Sequence, residues 1–347
     1  MKPKLRFSNF INDYEIKDVS DITSNISSGK ISKQLEDGEY NVYGSMGIIG
    51  KSNFYDYAGE KVLVARVGAN AGSVNKINEK CCISDNTLVL EPKDILNDYL
   101  YYALSHYNPK KLIFGSGQPL VTGGQLKKIK LGIPSKEEQL KVSNFLSLLD
   151  KKIELQSKKI EDLKLFKKGL SNKIFSTLDV VKEEKLGNIC NITTGKLDAN
   201  AMVENGQYRF YTCAKDYYYI DKYAFDTEAL LISGNGAYVG YIHYYKGKFN
   251  AYQRTYVLDK FTENIQYIKV YLDEFLSKRI NSEKKEGNTP YIVLSTLSDM
   301  MIKLTNVTDE NKVINTFNNI NNKIDKEELK LNKLIELKKG LMQNMFV

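Results

Sequence analysis

The stretch Pro134-Ser135-Lys136-Glu137-Glu138-Gln139, followed by apolar residues at Leu146, Leu149, Ile153, Ile160, Leu163, Leu170 and Ile174, decides the fold. Ser135 is placed to cap a helix N-terminus, and Glu137 and Glu138 supply the acidic first turn that such an end prefers. The apolar spacing alternates three and four, with Gln156 and Lys167 in the two polar gaps. That is a heptad seam, in which side chains of one helix fit between those of another. Glu137 to Phe175 makes about 39 residues, roughly 58 Å of helix at 1.5 Å per residue.

The segment occurs twice. A shift of 171 lays Gln139–Ser176 on Glu310–Val347 with 12 of 38 positions identical, and Lys167-Lys168-Gly169-Leu170 recurs as Lys338-Lys339-Gly340-Leu341. The second seam reads Phe317, Ile320, Ile324, Leu331, Leu334, Leu341 and Met345, with polar breaks Glu327 and Lys338 at the matching places. A polar residue on a seam costs stability but fixes register and partner. Two matched helices in one chain pair most simply with each other, antiparallel; a zipper joining two chains is the alternative.

What precedes each helix is also duplicated. A shift of 168 lays Tyr40–Leu90 on Tyr208–Leu258 without a gap, with 12 of 51 positions identical, among them Tyr43/Tyr211, Gly68/Gly236, Gly72/Gly240 and Thr87/Thr255. A three-residue length change therefore lies between Leu104 and Gln118. Lys61–Val67 and Asn86–Leu90 read as strands flanking a Gly/Asn turn, Gly68 to Gly72. Ala229–Ser233 and Thr255–Leu258 repeat them around Gly234 to Gly240, and stretches 94–105 and 264–278 read as helices. The expected fold is α+β: two mixed α/β domains, 1–134 and 179–304, separated by two long helices, 135–178 and 305–347, that form an antiparallel coiled coil. The whole is a tandem pseudo-symmetric repeat, in which residues shared between the copies are expected to be scaffold.

At 347 residues, with 42% hydrophobic and 27% charged content, the chain is ordinary for a globular protein with two cores. No run reaches 18 apolar residues, which argues against a membrane span, and no apolar segment follows the basic N-terminus, so a cytoplasmic location is expected. Cys81, Cys82, Cys190 and Cys213 lack CxxC spacing and there are only two histidines, so no metal site is expected. The net charge is +8, carried almost wholly by lysine, since only Arg6, Arg66, Arg209, Arg254 and Arg279 are arginine. Such a balance suits a polyanion partner; AT-rich coding produces the same Lys, Asn and Tyr excess.

Catalytic motifs are missing. Gly234-Asn235-Gly236-Ala237-Tyr238-Val239-Gly240 resembles a dinucleotide fingerprint, but its third glycine is one place late and strand residues follow, so a hairpin turn is expected. There is no GxxxxGK[ST], no N-P-P-[YF] or D-P-P-[YF], no HExxH and no GxSxG. His106 and His243 occupy unmatched positions in the two copies and read as packing or surface. No catalytic residue is assigned. Twelve of the 24 tyrosines fall between Tyr208 and Tyr256, as sheet packing or as surface for sugars and phosphates.

Leu131-Gly132-Ile133-Pro134-Ser135-Lys136-Glu137-Glu138-Gln139 and the helix after it resemble the central region of type I restriction–modification specificity subunits. Gly115-Ser116-Gly117-Gln118 and Leu126-Lys127-Lys128-Ile129 look like the end of that family's target-recognition domain. Tyr14–Val19 with Gly29-Lys30, and Lys185–Ile189 with Gly195-Lys196, look like two domain starts. The resemblance covers nearly the whole chain; the second junction, Lys303–Glu310, departs by lacking the proline and the Glu-Gln pair. It implies that each domain reads one half of a split double-stranded DNA target, that the helices set the gap, and that two modification subunits dock on the repeats. In the family, restriction subunits join that core. S-adenosylmethionine, ATP and Mg would belong to those partners, with no cofactor here. A coiled-coil adaptor without DNA specificity is the alternative, and an unrecognised nuclease or transferase a third.

Base-reading residues are expected on loops, at positions where polar side chains differ between copies, because the halves of a split target differ. Asp85/Gln253, Asn86/Arg254, Arg66/Gly234 and Asn70/Tyr238 meet that test. Arginine can grip guanine O6 and N7, and Asn or Gln adenine, at about 1–3 kcal/mol per good pair. Arg254 and Gln253, with Tyr238, are therefore assigned to one half-site, and Arg66, Asn70, Asp85 and Asn86 to the other. Gln118, Lys127, Lys128 and Lys130 are assigned to phosphates.

Overall fold

A computed structural model describes residues 1–31, 35–45, 47–114, 119–283 and 291–347. The chain divides into two units, Met1–Lys158 with Glu328–Val347, and Lys159–Glu327. Each contains one half of both long helices.

Among the described residues, unit 1 has nine strands: β1 (Glu15–Asp18), β2 (Thr23–Ser28), β3 (Tyr40–Gly44), β4 (Gly47–Ser52), β5 (Glu60–Ala65), β6 (Val74–Asn78), β7 (Cys81–Ile83), β8 (Thr87–Pro92) and β9 (Lys130–Ile133). Its helices are α1 (Asn97–Tyr107), α2 (Gly123–Lys127) and the start of α3 (Lys136–Thr177). Strands order as β2-β8-β5-β6, β4-β3-β7 and β1-β9. The inner face of the first sheet, with Val62, Val64, Leu88 and Leu90, packs against Tyr99, Leu100, Ala103 and Leu104 of α1. Leu146 of α3 and Met345 and Phe346 near the chain's end close the same core.

Unit 2 repeats the plan. It contains β10 (Lys182–Lys185), α4 (Leu186–Ile189), β11 (Asn191–Thr194), β12 (Tyr208–Tyr211), β13 (Tyr218–Ile220), β14 (Phe225–Ser233), β15 (Ile242–Ala251), β16 (Thr255–Asp259), α5 (Ile265–Glu283), α6 (Leu294–Ser298), β17 (Met301–Leu304) and the start of α7 (Val307–Met345). Its main sheet orders β11-β16-β14-β15-β12-β13, and β10 pairs with β17. One difference is local. Unit 1 breaks after β6 at Glu79-Lys80, so its strands form two sheets, whereas unit 2 runs through the same place as one strand, β15, with Gly247 at φ +130°.

The long helices run antiparallel within each unit. In unit 1, Lys338 pairs with Asp150, which also accepts from the Tyr102 hydroxyl at 2.7 Å. In unit 2, Lys159 meets Glu327 at 3.0 Å, Lys167 meets Glu274 of α5 at 2.7 Å, and Phe175 lies against Phe317. The polar seam positions Lys167, Glu327 and Lys338 are thus ion-paired. Leu146, Leu149, Ile160, Phe317, Ile320 and Ile324 are buried, while Ile153, Leu163, Leu170, Leu331, Leu334 and Leu341 are half-buried.

Both helix starts are capped. Ser135 Oγ accepts from Glu138 N at 3.4 Å, and Gln139 ties the turn down, its Oε1 accepting from Leu96 N and its Nε2 donating to Pro134 O. At the second junction, where proline is missing, Asn306 Oδ1 accepts from Asp309 N at 3.0 Å, and α7 begins at Val307.

Eight of the twelve pairs identical in the ungapped block fall into three places. Leu63/Leu231, Thr87/Thr255, Val89/Val257 and Leu90/Leu258 are core. Gly68/Gly236 and Gly72/Gly240 hold the turn, all at φ +79° to +83°. Tyr55/Tyr223 and Lys80/Lys248 are exposed. Each lysine stands over its tyrosine, at 4.9 Å and 4.7 Å.

Candidate nucleic-acid interface

Each unit presents two turns side by side. In unit 1 the first turn joins β5 to β6 through Arg66–Ser73, closed by Ala71 N to Gly68 O, Gly72 N to Ala65 O and Ser73 N to Asn70 O, all at 2.8–2.9 Å. Unit 2 makes the same bonds with Val239 N to Gly236 O, Gly240 N to Ser233 O and Tyr241 N to Tyr238 O. Glycine at φ near +80° is what lets this hairpin reverse. A strand follows it in both units, so the glycines form a hairpin rather than a phosphate-binding loop before a helix.

The second turn joins β7 to β8 in unit 1 and β15 to β16 in unit 2. Thr87 N donates to Ser84 O and Asp85 N to Ile31 O; Thr255 N donates to Tyr252 O and Gln253 N to Leu197 O. A single bond stitches the turns together: Arg66 N to Asn86 O at 2.9 Å, and Gly234 N to Arg254 O at 2.8 Å. Arg66, Asn70, Asp85 and Asn86 therefore lie on one pair of turns, and Tyr238, Gln253 and Arg254 on the other. Asp85, Asn86, Tyr238, Gln253 and Arg254 are exposed, and Arg66 and Asn70 half-exposed.

In unit 2 the stitch borders a cleft of about 290 Å³ lined by Thr194, Gly234, Gln253, Arg254, Tyr256, Tyr291 and Ile292. Gly234 leaves the cleft open; a Cβ there would meet Arg254 O at 2.3 Å. Tyr291, bridged to Asn235, and Thr194 were missed from the sequence. Tyr291, aligned with Leu120, passes the test of differing side chains but lies beyond the length change, whereas Thr194 matches Ser28 by strand register and carries a hydroxyl in both copies.

The phosphate assignments are placed elsewhere. Lys127 ends α2, whose cap is reciprocal between Thr122 and Gln125, and Lys130 begins β9. Lys127, Lys128 and Lys130 are exposed, and their segment is bonded to Val19 and Ser20 rather than to the turns. Gln118 lies outside the described residues.

Neither histidine is set up for proton transfer. His106 stacks on Phe346, and His243 contacts the Tyr211 and Tyr241 rings with Nε2 2.9 Å from Ala214 O. Burial lowers both pKa values below the ordinary one. Burial also pushes the Cys81 and Cys190 thiols up to about 12. Among the described residues, no group of three His, Cys, Asp or Glu side chains is arranged to hold a metal ion, and no helix is long and apolar enough to cross a membrane.

Twin α+β units, each with the same paired turns carrying unlike side chains, and a coiled-coil pair running through them, define a duplicated recognition scaffold. The sequence matches the type I restriction modification DNA specificity domain over residues 11–165 and 179–337. The chain belongs to that family. It is 32% identical over 162 residues to the EcoDI type I restriction enzyme specificity subunit of Escherichia coli, covering 47% of this chain but 36% of that one. The fold matches the crystal structure of a type I restriction–modification S subunit from M. genitalium, with a TM-score of 0.73, 19% identity and coverage of 100% and 99%. It also matches a chain solved in work on complex assembly and conformational transition of the type I R-M system, with a TM-score of 0.56, 12% identity and coverage of 97% and 98%.

Proposed function

We propose that this chain is the DNA-reading subunit of a type I restriction–modification complex, unit 1 reading one half of a split target and unit 2 the other. One observation carries this: the two units hold the same pair of turns with the same backbone bonds, yet present different polar groups. A fixed frame with exchanged tips suits the reading of two unlike short sequences. Arg66, Asn70, Asp85 and Asn86 would face one half-site, and Tyr238, Gln253 and Arg254 the other. The paired helices would set the unread gap between the halves and receive two modification subunits, with restriction subunits joining that core.

On this reading the chain is not itself an enzyme and needs no cofactor. Binding of S-adenosylmethionine, and of ATP and Mg, would fall to its partners, and the complex would work in the cytoplasm, where its DNA is.

The test is to express the chain with its cognate adenine methylase in a naive host, with the methylase alone as control, and to map modified adenines by long-read sequencing. A split motif with a fixed gap, appearing only when the chain is present, is the expected result. Methylation indifferent to the chain, despite a folded complex, would leave a coiled-coil adaptor.

A further inference from the structure

We propose that Arg209 is a preset phosphate anchor beside the second half-site, and that the described residues of unit 1 hold no counterpart at the aligned positions, so the two units hold the DNA backbone unequally. The proposal rests on the reading above, that unit 2 binds duplex DNA.

Arg209 lies on β12 with its guanidinium held between two rings, 4.2 Å from the centre of Tyr217 and 4.5 Å from that of Tyr245. Its Nη1 donates to the Tyr211 hydroxyl at 3.4 Å. Among the described residues no carboxylate pairs with it; the groups that act on its charge are the three tyrosines. Stacking fixes the plane of a guanidinium without using up its N–H donors. A fork already fixed in place loses little freedom when it grips a phosphate, and it offers two parallel bonds where lysine offers a point charge.

The segment that braces Arg209 also touches both reading turns. Tyr217 follows Cys213, whose thiol donates to Arg254 O at 3.3 Å, and Lys215, whose ammonium stands 5.6 Å from the Tyr238 ring. Ala214 between them is the partner of His243. Tyr217 and Tyr219 remain 37% and 42% exposed, so the brace is open to a ligand. A duplex read at Arg254 and Gln253 has its backbone within reach of this cation and its tyrosine rim.

Unit 1 has a charge-balanced cluster at the aligned place. Shifted by 168, Arg209 becomes Asn41, Tyr217 becomes Ile49 and Tyr245 becomes Ile77. Asn41 Nδ2 donates to Glu79 Oε1 at 3.2 Å and its Oδ1 accepts from Lys51, while the Tyr43 hydroxyl also bonds Glu79. Glu79 and the Lys51 ammonium share that place, so its charges offset each other where Arg209 has no carboxylate beside it.

The test measures the affinity of the full chain for a fluorescent duplex of arbitrary sequence across a sodium chloride series, for wild type, Arg209→Gln, Arg209→Lys and Asn41→Ala. Gln keeps a planar amide near Tyr211 and deletes the charge. Arg209→Gln is expected to bind several-fold more weakly and to lose about 0.9 from the slope of log K against log salt, one phosphate's worth. Arg209→Lys should keep the slope yet bind several-fold more weakly, because the fork is gone. That comparison stands even if Arg209→Gln fails to fold. Asn41→Ala should match wild type. Wild-type affinity and slope in both Arg209 variants would overturn the anchor while leaving DNA binding intact. A wild-type chain that binds no duplex at any salt would overturn the functional reading and the anchor with it.

Discussion

The Arg6 guanidinium clasps the Glu138 carboxylate through two bonds, Nε to Oε1 and Nη2 to Oε2, each 2.7 Å long. Glu138 is 1% exposed, in the first turn of α3, and the Tyr14 hydroxyl donates to the same Oε1 at 3.0 Å. The pair fastens the N-terminal arm to the helix start. Replacing Arg6 by Ala strands the carboxylate with one hydroxyl, which is expected to cost about 3–5 kcal/mol. Arg6→Ala with Glu138→Gln should recover part of the loss, because no lone charge remains buried. Thermal melts of the single and double variants check both statements.

Arg254→Ala should change sequence preference at one half-site only, by about 1–3 kcal/mol against the wrong base. Asn86→Ala should act on the other half. Selection from a randomised duplex pool, sequenced after binding, distinguishes this from an equal loss across all sequences, which would make Arg254 a backbone contact.

Lys127→Gln and Lys128→Gln should each reduce the salt slope by about 0.9 without altering preference. The same pool and a salt titration provide both readouts; an unchanged slope would remove these lysines from the interface.

Acid should weaken unit 2 through His243. Burial is the main cause of its lowered pKa, reinforced by Lys269 and opposed by the Ala214 carbonyl and Asp216. The unfolded imidazole, titrating at about 6.5, then binds a proton more readily than the folded one. The stability it contributes is present above that pH and is lost as pH falls toward the folded value. His243→Asn, the residue found at aligned position 75, should flatten the fall in stability between about pH 7 and pH 5 in denaturant titrations. An identical fall in both proteins would place the effect elsewhere.

The cysteines should differ in reactivity. Cys81 and Cys190 are buried with thiols near 12, and burial raises Cys82 as well, whereas Cys213 is half-exposed. Since the thiolate is the reactive form, brief iodoacetamide treatment of the native chain, read by peptide mass mapping, should label Cys213 first. Early labelling of Cys190 would mean the core of unit 2 opens readily.

The helices were legible because their signals are local: a capping serine, two acids and a seam whose period survives in both copies. The strands around Gly68–Gly72 and Gly234–Gly240 were legible because a positive-φ turn needs glycine twice over. The break between β6 and β7, which splits one sheet into two in unit 1, left no comparable mark, since Glu79-Lys80 and Gly247-Lys248 differ by a single side chain. Arg209 was passed over for a different reason. Its neighbours Tyr217 and Tyr245 are eight and 36 residues away, and it takes the antiparallel pairing of β12 with β13 and its parallel pairing with β15 to bring them together. Comparing the copies finds positions that differ, but it cannot tell which of them converge in space.

Leu5 N donates to Asn344 O at 2.8 Å. Residues 5 and 344 are thereby joined, and unit 1 draws its core from two separate stretches of chain, whereas unit 2 is the single stretch 159–327. In vectorial synthesis unit 2 is therefore complete before the residues of α7 that close the core of unit 1 have been made.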